Sequence, residues 1–127
     1  MSKRFKNWQY PEIREGKDTK WGWRVSHVDG LKLGKDTDIG YGCYIQAEKG
    51  VEIGDRVQVG AHTAIYSVST IQGRREGKVI IEQDAEIGAH CLILPGVTIG
   101  KGAFVRVFTT VKHDVPAGKT VGPFGVW

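Results

Sequence analysis

The chain has 127 residues, enough for one domain, and a formal net charge of +4 that is too small and dispersed to indicate a nucleic-acid-binding surface. No apolar stretch is long enough to span a membrane, and the N-terminus lacks the apolar core of a signal peptide. Two cysteines without a metal-binding spacing make the cytoplasm the expected compartment.

Residues 1–30 precede any repeat and carry large aromatic side chains among many charged ones. The aromatic residues include Trp8, Tyr10, Trp21 and Trp23. We predict that this segment caps an end of the fold or contacts another subunit, because an open end exposes unpaired strand edges and core. The alternative, that these rings stack on a ligand, stays open.

From Leu31 onward an aliphatic residue returns every six positions, with a two-residue slip after Ile45 and a four-residue slip after Ile71. Gly follows six of the thirteen positions, and a second column of small or branched residues lies two residues before the first. The aliphatic column comprises Leu33, Ile39, Ile45, Ile53, Val59, Ile65, Ile71, Ile81, Ile87, Ile93, Ile99, Val105 and Val111.

A six-residue period fits neither an α-helix nor a half-buried strand. It indicates a short strand followed by a turn, with the aliphatic side chain pointing inward and Gly allowing a tight bend. Three such sides close one coil, and successive coils stack about 4.8 Å apart. The sequence therefore predicts an all-β, single-domain parallel β-helix over residues 31–116, with a buried aliphatic column and a little over four coils.

Two further segments are set apart from the repeat. Residues 73–78 contain glycines at positions 73 and 77 and four charged side chains, which mark an excursion from a coil corner. Residues 117–127 follow the last repeat, and we expect this tail, with Trp127, to cover the other end.

Two runs of the sequence carry a family resemblance. Residues 87–100 read IGAHCLILPGVTIG and residues 111–116 read VKHDVP. They resemble the hexapeptide-repeat acyltransferase superfamily, with similarity over roughly residues 31–116. The resemblance implies a left-handed coil, against the usual rule for parallel crossovers. It also implies transfer of an acyl group, usually acetyl from acetyl-CoA, to a hydroxyl or amine, in a site between subunits to which the loop near residues 73–78 contributes.

In this family a His acts as general base, and its sugar acetyltransferases place that His before or within the loop. The corresponding residues 63–71 contain no His. His62 and His90 are the candidates that remain, because each lies three residues after an inward aliphatic residue and therefore at a coil corner. A general base needs hydrogen-bond reach to the acceptor and a pKa near neutrality.

If the thirteen aliphatic positions are numbered as successive sides of the prism, positions three apart lie on the same side in neighbouring coils. This numbering predicts that His62 stacks near Asp84, whose carboxylate would orient the imidazole and raise its basicity. It places His90 near Val68 and Phe108, at a different corner. The same count puts Cys43 and Cys91, both expected to be buried packing residues, on different sides.

Basic side chains provide candidate contacts for the phosphates of acetyl-CoA. They are Arg74, Arg75, Lys78, Arg106 and Lys112. The "G-x-PAK" run that often follows in the family is replaced here by Val121-Gly122-Pro123-Phe124. No metal is expected, because zinc needs about three converging imidazoles and no two histidines are nearer than 23 positions.

Two functions follow from this reading. The first is an acyl-CoA-dependent transferase acting on a sugar or nucleotide sugar, and the second is a non-catalytic β-helix scaffold that has lost the loop His. Either would assemble as a homotrimer, because a three-sided prism offers flat faces that cyclic symmetry closes.

Overall fold

The computed structural model describes residues 6–123, which form a left-handed parallel β-helix of about five turns. The predicted all-β fold is confirmed. Within these residues there is no α-helix, and one 3-10 turn spans Val28–Gly30. The strands are β1 (Arg24–Ser26), β2 (Leu31–Leu33), β3 (Asp38–Ile39), β4 (Tyr44–Gln46), β5 (Val51–Ile53), β6 (Gln58–Val59), β7 (Ala64–Tyr66), β8 (Val68–Ser69), β9 (Arg75–Glu76), β10 (Val79–Ile81), β11 (Glu86–Ile87), β12 (Leu92–Ile93), β13 (Thr98–Ile99), β14 (Phe104–Val105), β15 (Thr110–Val111) and β16 (Thr120–Val121).

Three parallel sheets form the sides of the prism. Side 1 runs β1-β4-β7-β12-β15, side 2 runs β2-β5-β10-β13, and side 3 runs β3-β6-β11-β14-β16. The chain visits sides 1, 2 and 3 in turn, so that each strand pairs with the strand one coil later on the same side. Three corners result, which we call the 1–2, 2–3 and 3–1 corners.

The interior is filled by the predicted aliphatic column and the column of small residues. Ile45, Ile65 and Ile93, on successive coils of side 1, are fully buried. Leu33, in the first coil, is only half-buried. Burying a branched aliphatic side chain contributes about 1.5–3 kcal/mol, so each buried position of this stack stabilises its coil.

The prediction for Ile71 is wrong, because its side chain is 79% exposed. The chain leaves the coil after β7 and forms an antiparallel hairpin in which Val68 pairs with Glu76 and Ser69 with Arg75. It re-enters the coil at β10, which pairs directly with β5. The excursion is therefore longer than the predicted residues 73–78, and residues 69–71 form no side of the prism.

The glycines of the repeat are needed for close packing between coils. A Cβ on Gly54 would lie 2.6 Å from the Gln83 nitrogen, and one on Gly88 would lie 2.7 Å from the Val107 nitrogen. Neither of these two glycines has a positive φ. The expectation that Gly serves mainly to bend the turn is corrected: at these positions it lets the next coil's backbone approach.

The coils extend past the predicted range of residues 31–116 at both ends. The strand β1 already pairs with β4, and β16 pairs with β14. Trp23 is buried in the core, and the Trp8 indole N–H donates to the carbonyl oxygen of Thr37, which directly precedes β3, at 2.8 Å. Trp127 lies outside the described residues. No helix among residues 6–123 could cross a membrane.

Candidate active site

A column of side chains with left-handed backbone occupies the 3–1 corner. His62, His90 and Phe108 have φ values of 58°, 56° and 57°, and Gly42 precedes them at 78°. Each backbone N–H bonds to the coil before it: His62 N donates to Tyr41 O at 2.9 Å and His90 N donates to Ala61 O at 3.0 Å. The column therefore projects its side chains outward, one per coil.

The rings of this column stack into what we call the imidazole ladder, comprising Tyr41, His62, His90 and Phe108. The His62 and His90 ring centroids are 5.2 Å apart with planes 25° apart, and His90 lies 5.1 Å from Phe108, nearly parallel. Tyr41 contacts His62 edge-on at 5.8 Å. Both imidazoles are exposed to solvent.

Gly42 makes room for the ladder. A Cβ at this position would overlap the His62 imidazole, since the ring lies against the Gly42 backbone. His62 is thus held between Gly42 on one coil and His90 on the next. The backbone arrangement positions the imidazole, and no carboxylate of residues 6–123 pairs with it.

The predicted stacking of His62 near Asp84 is wrong. Counting Ile71 as a side shifted every later strand by one, and β6 in fact pairs with β11, so that Val59 lies opposite Ile87. His62 and His90 therefore share one corner, and His90 lies near Phe108 as predicted but not near Val68. Cys43 and Cys91 likewise precede strands of the same side.

Asp84 lies at the 2–3 corner and pairs with Arg56. The two groups form a bidentate ion pair, with Nε to Oδ1 at 2.7 Å and the terminal nitrogen to Oδ2 at 3.1 Å. The hydrogen bond from Arg56 holds the pKa of Asp84 below its ordinary value. Asp84 therefore stays ionised to lower pH, and its stabilising contribution is lost only as the pH falls through that lowered value.

The basic side chains predicted to contact phosphates divide into two groups. Arg74 is engaged by Glu76 at 2.6 Å and by Glu48 at 2.8 Å, and Lys78 pairs with Glu52. Arg75, Arg106 and Lys112 are exposed and have no carboxylate partner within residues 6–123. The latter three are the better placed to meet a phosphate.

The hairpin and the imidazole ladder lie at opposite edges of side 1. His62 precedes β7, whereas the hairpin leaves the coil at Ser67, just after that strand, and returns where Gly77 N donates to Ser67 O at 2.9 Å. Within one chain the hairpin therefore cannot border the ladder directly. Arg106 is close to the ladder in sequence, because it lies two residues before Phe108.

The cysteines are structural. Both thiols are buried and free, and burial raises the pKa of each, which disfavours the nucleophilic thiolate. Their Sγ atoms donate to backbone carbonyls of the next coil. In the part of the chain from residue 6 to 123, no three His, Cys, Asp or Glu side chains are grouped as metal ligands.

Sequence reasoning missed the ladder although a signal for it was present. Gly42, His62, His90 and Phe108 each lie three residues after an inward aliphatic residue of side 3. Aligning those four positions reveals the column, provided that Ile71 is left out of the count.

The comparisons with known proteins agree with this architecture. A family model described as the hexapeptide repeat of succinyl-transferase matches residues 30–67 and 78–106, more than half of the chain. The chain belongs to this hexapeptide-repeat transferase family. The unmatched residues between the two ranges contain the hairpin.

Curated relatives include YvoF of Bacillus subtilis (strain 168), whose assignment as an acetyltransferase is itself provisional. It is 36% identical over 99 residues, which are 72% of this chain and 55% of YvoF. The 2,3,4,5-tetrahydropyridine-2,6-dicarboxylate N-acetyltransferase of Staphylococcus aureus (strain JH9) is 46% identical over 68 residues, 54% of this chain and 28% of that protein. The chain spans about half the length of its curated relatives or less.

Among solved structures, the hexapeptide-repeat containing acetyltransferase VCA0836 from Vibrio cholerae is 27% identical with a TM-score of 0.74. The alignment covers 82% of this chain and 62% of that one. A second structure of that acetyltransferase, complexed with acetyl coenzyme A, also gives a TM-score of 0.74 and covers 80% of this chain and 60% of that one.

Proposed function

We propose that this protein transfers an acyl group, acetyl in the first instance, from acyl-CoA to a hydroxyl or amine of a sugar or nucleotide sugar. His62 or His90 acts as the general base. The observation that carries the proposal is the exposed imidazole pair of the ladder, held by the coil backbone in a chain whose fold matches an acetyltransferase complexed with acetyl coenzyme A.

The chemistry requires one proton acceptor beside a thioester. A ring nitrogen of the imidazole removes the proton of the acceptor hydroxyl or neutral amine as that group attacks the thioester carbonyl carbon. A new C–O or C–N bond forms, the C–S bond breaks, and the proton passes from the imidazolium to the leaving sulfur as CoA thiol. Atoms and electrons are balanced in this reaction without an oxidant, a reductant or a metal.

The site is completed by a second subunit in this proposal. The hairpin leaves side 1 at the edge away from the ladder, so a neighbouring chain of a homotrimer would bring its own hairpin, with Arg75, towards the ladder. Arg106 and Lys112 supply further positive charge for CoA phosphates. The free buried thiols agree with the cytoplasm as the working compartment.

The proposal is tested by removing each imidazole separately. His62→Ala and His90→Ala are assayed with acetyl-CoA and a panel of amino sugars and nucleotide sugars, following the release of free CoA. Loss of the base lowers the rate about 10²–10⁴-fold, because proton transfer in the transition state typically contributes that much. His113→Ala, an exposed His outside the ladder, serves as the matched control and retains the wild-type rate.

Two results would overturn the assignment. If neither ladder variant lowers a measurable wild-type rate, the base lies elsewhere. If the wild type neither releases CoA nor binds acetyl-CoA in calorimetry, the scaffold function is the better one, as the absence of a His from residues 63–71 suggests.

A further inference from the structure

A cavity of about 760 Å³ lies between the N-terminal segment and the edge strand β3. This volume is within the range of about 300–1,000 Å³ typical of small-molecule sites. Trp8, Tyr10, Trp21 and Trp23 contribute to one wall, and Thr37, Asp38 and Ile39 form part of the other. The cavity is separate from the ladder residues themselves.

Trp8 and Tyr10 of the cavity contact each other, and the rings of Tyr10 and Trp21 are exposed. The indole of Trp8 is fixed by its hydrogen bond to Thr37 and contacts Tyr10 edge-on, with centroids 4.8 Å apart. Tyr10 is 65% and Trp21 48% exposed. Exposed, oriented rings lining a concave site present faces on which a planar ring stacks.

Two cations of the cavity wall are left over by the ion pairs. Glu12 pairs with Arg14 at 2.6 Å, and Asp18 with Arg24 at 2.8 Å, so these four groups neutralise one another. Two further lysines of the wall, Lys17 and Lys20, have no carboxylate partner within residues 6–123, and the Lys20 ammonium lies 5.3 Å from the Trp21 ring centroid.

The remaining wall carboxylate is Asp38, so the lining as a whole is neutral, with Arg14, Lys17 and Lys20 against Glu12, Asp18 and Asp38. Two lysines beside stacking rings match a ligand that joins a planar ring to a diphosphate.

One wall residue of the cavity, Trp21, lies beside the 3–1 corner that carries the imidazole ladder. Trp21 directly precedes Gly22, and Gly42 N donates to Gly22 O at 3.0 Å one coil later. His62 N in turn donates to Tyr41 O at 2.9 Å. Along the axis of the β-helix, Gly22 and His62 are therefore separated by two coil spacings, about 10 Å. A ligand anchored by its ring at Trp21 can present its far end to His62.

We propose that this cavity binds the nucleoside diphosphate of a nucleotide-linked sugar acceptor, an inference that rests on the proposed function. The base stacks on Trp21 and Tyr10, and Lys17 and Lys20 contact the diphosphate. The sugar extends along the corner towards His62, which makes His62, rather than His90, the base for this acceptor class.

Direct binding tests the cavity without any catalysis. Quenching of Trp fluorescence and calorimetry are recorded with uridine diphosphate and thymidine diphosphate, and with inorganic pyrophosphate and glucose as separate arms. The nucleotides bind and quench, and both Trp21→Ala and the double variant Lys17→Ala/Lys20→Ala weaken binding about 10-fold, as expected for loss of one stacked base or of phosphate contacts. Lys101→Ala, an exposed lysine distant in the chain, leaves binding unchanged.

Several results would overturn this inference. Absence of nucleotide binding would do so, as would pyrophosphate binding as tightly as the nucleotides, since the rings would then contribute nothing. Glucose binding with comparable affinity would assign the cavity to neutral sugars instead. Urea unfolding of each variant shows whether it is folded. If Trp21→Ala is not folded, the double lysine variant still tests the cavity.

The two proposals fail in different ways. Acetyl transfer to other acceptors without nucleotide binding would overturn only the cavity assignment. Nucleotide binding without acetyl-CoA binding would overturn the transferase and leave the cavity. With a nucleotide-linked amino sugar as acceptor, His62→Ala loses more activity than His90→Ala, and the reverse order would contradict the placement of the sugar.

Discussion

Four small side chains with hydrogen-bond donors line the inside of the 3–1 corner. Cys43 Sγ donates to Gly60 O at 3.0 Å, and Thr63 Oγ1 donates to Gly88 O at 2.9 Å. Cys91 and Thr109 both donate to Arg106 O. Each of these side chains donates a hydrogen bond to a carbonyl oxygen of a turn that has no partner in the parallel sheets. The column therefore helps to keep the coils in register directly beneath the ladder.

Thr63→Val tests this role at one residue. Valine keeps the shape but removes the hydroxyl that donates to Gly88 O and accepts from Cys91 N at 3.2 Å. We expect the free energy of unfolding to fall by about 1–3 kcal/mol for each buried group left unpaired, measured by urea unfolding. Thr63→Ser keeps the hydroxyl and should lose only about 1 kcal/mol.

The matched control is Thr110→Val, at a half-buried position of β15, with an expected change of about 0.5 kcal/mol or less. Equal effects of Thr63→Val and Thr63→Ser would show that the hydroxyl is not the stabilising group.

At the scale of the coil, stacking depends on the close approach between one turn and the next. Gly54→Ala places a methyl group against the Gln83 backbone nitrogen, a contact that no side-chain rotation relieves. We expect the free energy of unfolding to fall by about 1–3 kcal/mol, as for other overpacked sites, read from the urea midpoint.

Gly118→Asn is the control for this change at the same corner. Gly118 has φ +73° and nothing near its Cβ position, and Asn tolerates that backbone conformation. A change of about 0.5 kcal/mol or less is expected. If both variants lose the same stability, close coil contact is not what requires Gly at position 54.

The elements show how far the sequence alone reaches. The six-residue period predicts the parallel β-helix, its inward column and its glycine phase, because each coil repeats the same local physics. Ile71 fits the period yet lies in the hairpin, and no property of a single aliphatic residue distinguishes an inward position from a hairpin position. The pairing of β10 with β5 excludes Ile71 from the sides of the prism, and that contact joins residues 28 positions apart.

That one miscounted side explains most of what the sequence did not reveal about the site. The two histidines and their corner positions could be read from the chain, but their mutual contact depends on which strands are neighbours. Asp84 moved from a proposed partner of His62 to an ion pair with Arg56 for the same reason. The cavity beside Trp21 could not be foreseen, because residues 6–23 follow no period and their course is set by contacts with β1 and β3.

At the scale of the whole molecule, four of the seven large exposed apolar side chains of residues 6–123 lie at or beside the 3–1 corner. Phe104, Val107 and Phe108 are exposed around the 3–1 corner near the C-terminal coils, and Tyr41 lies at the same corner nearer the N-terminal end. Exposed apolar side chains that cluster at one corner favour an interaction site there. This is the corner that the proposed function requires a neighbouring chain to cover.

We therefore expect sedimentation equilibrium at micromolar concentration to give three times the chain mass of 14.0 kDa. Phe108→Glu places a charge in this contact and should shift the mass towards one chain, because desolvating an unpaired carboxylate opposes association. Lys35→Glu adds the same side chain at the exposed start of the 2–3 corner and should leave the mass unchanged. A wild-type mass of one chain would contradict the trimer, and an unchanged mass for Phe108→Glu would place the subunit contact on another face.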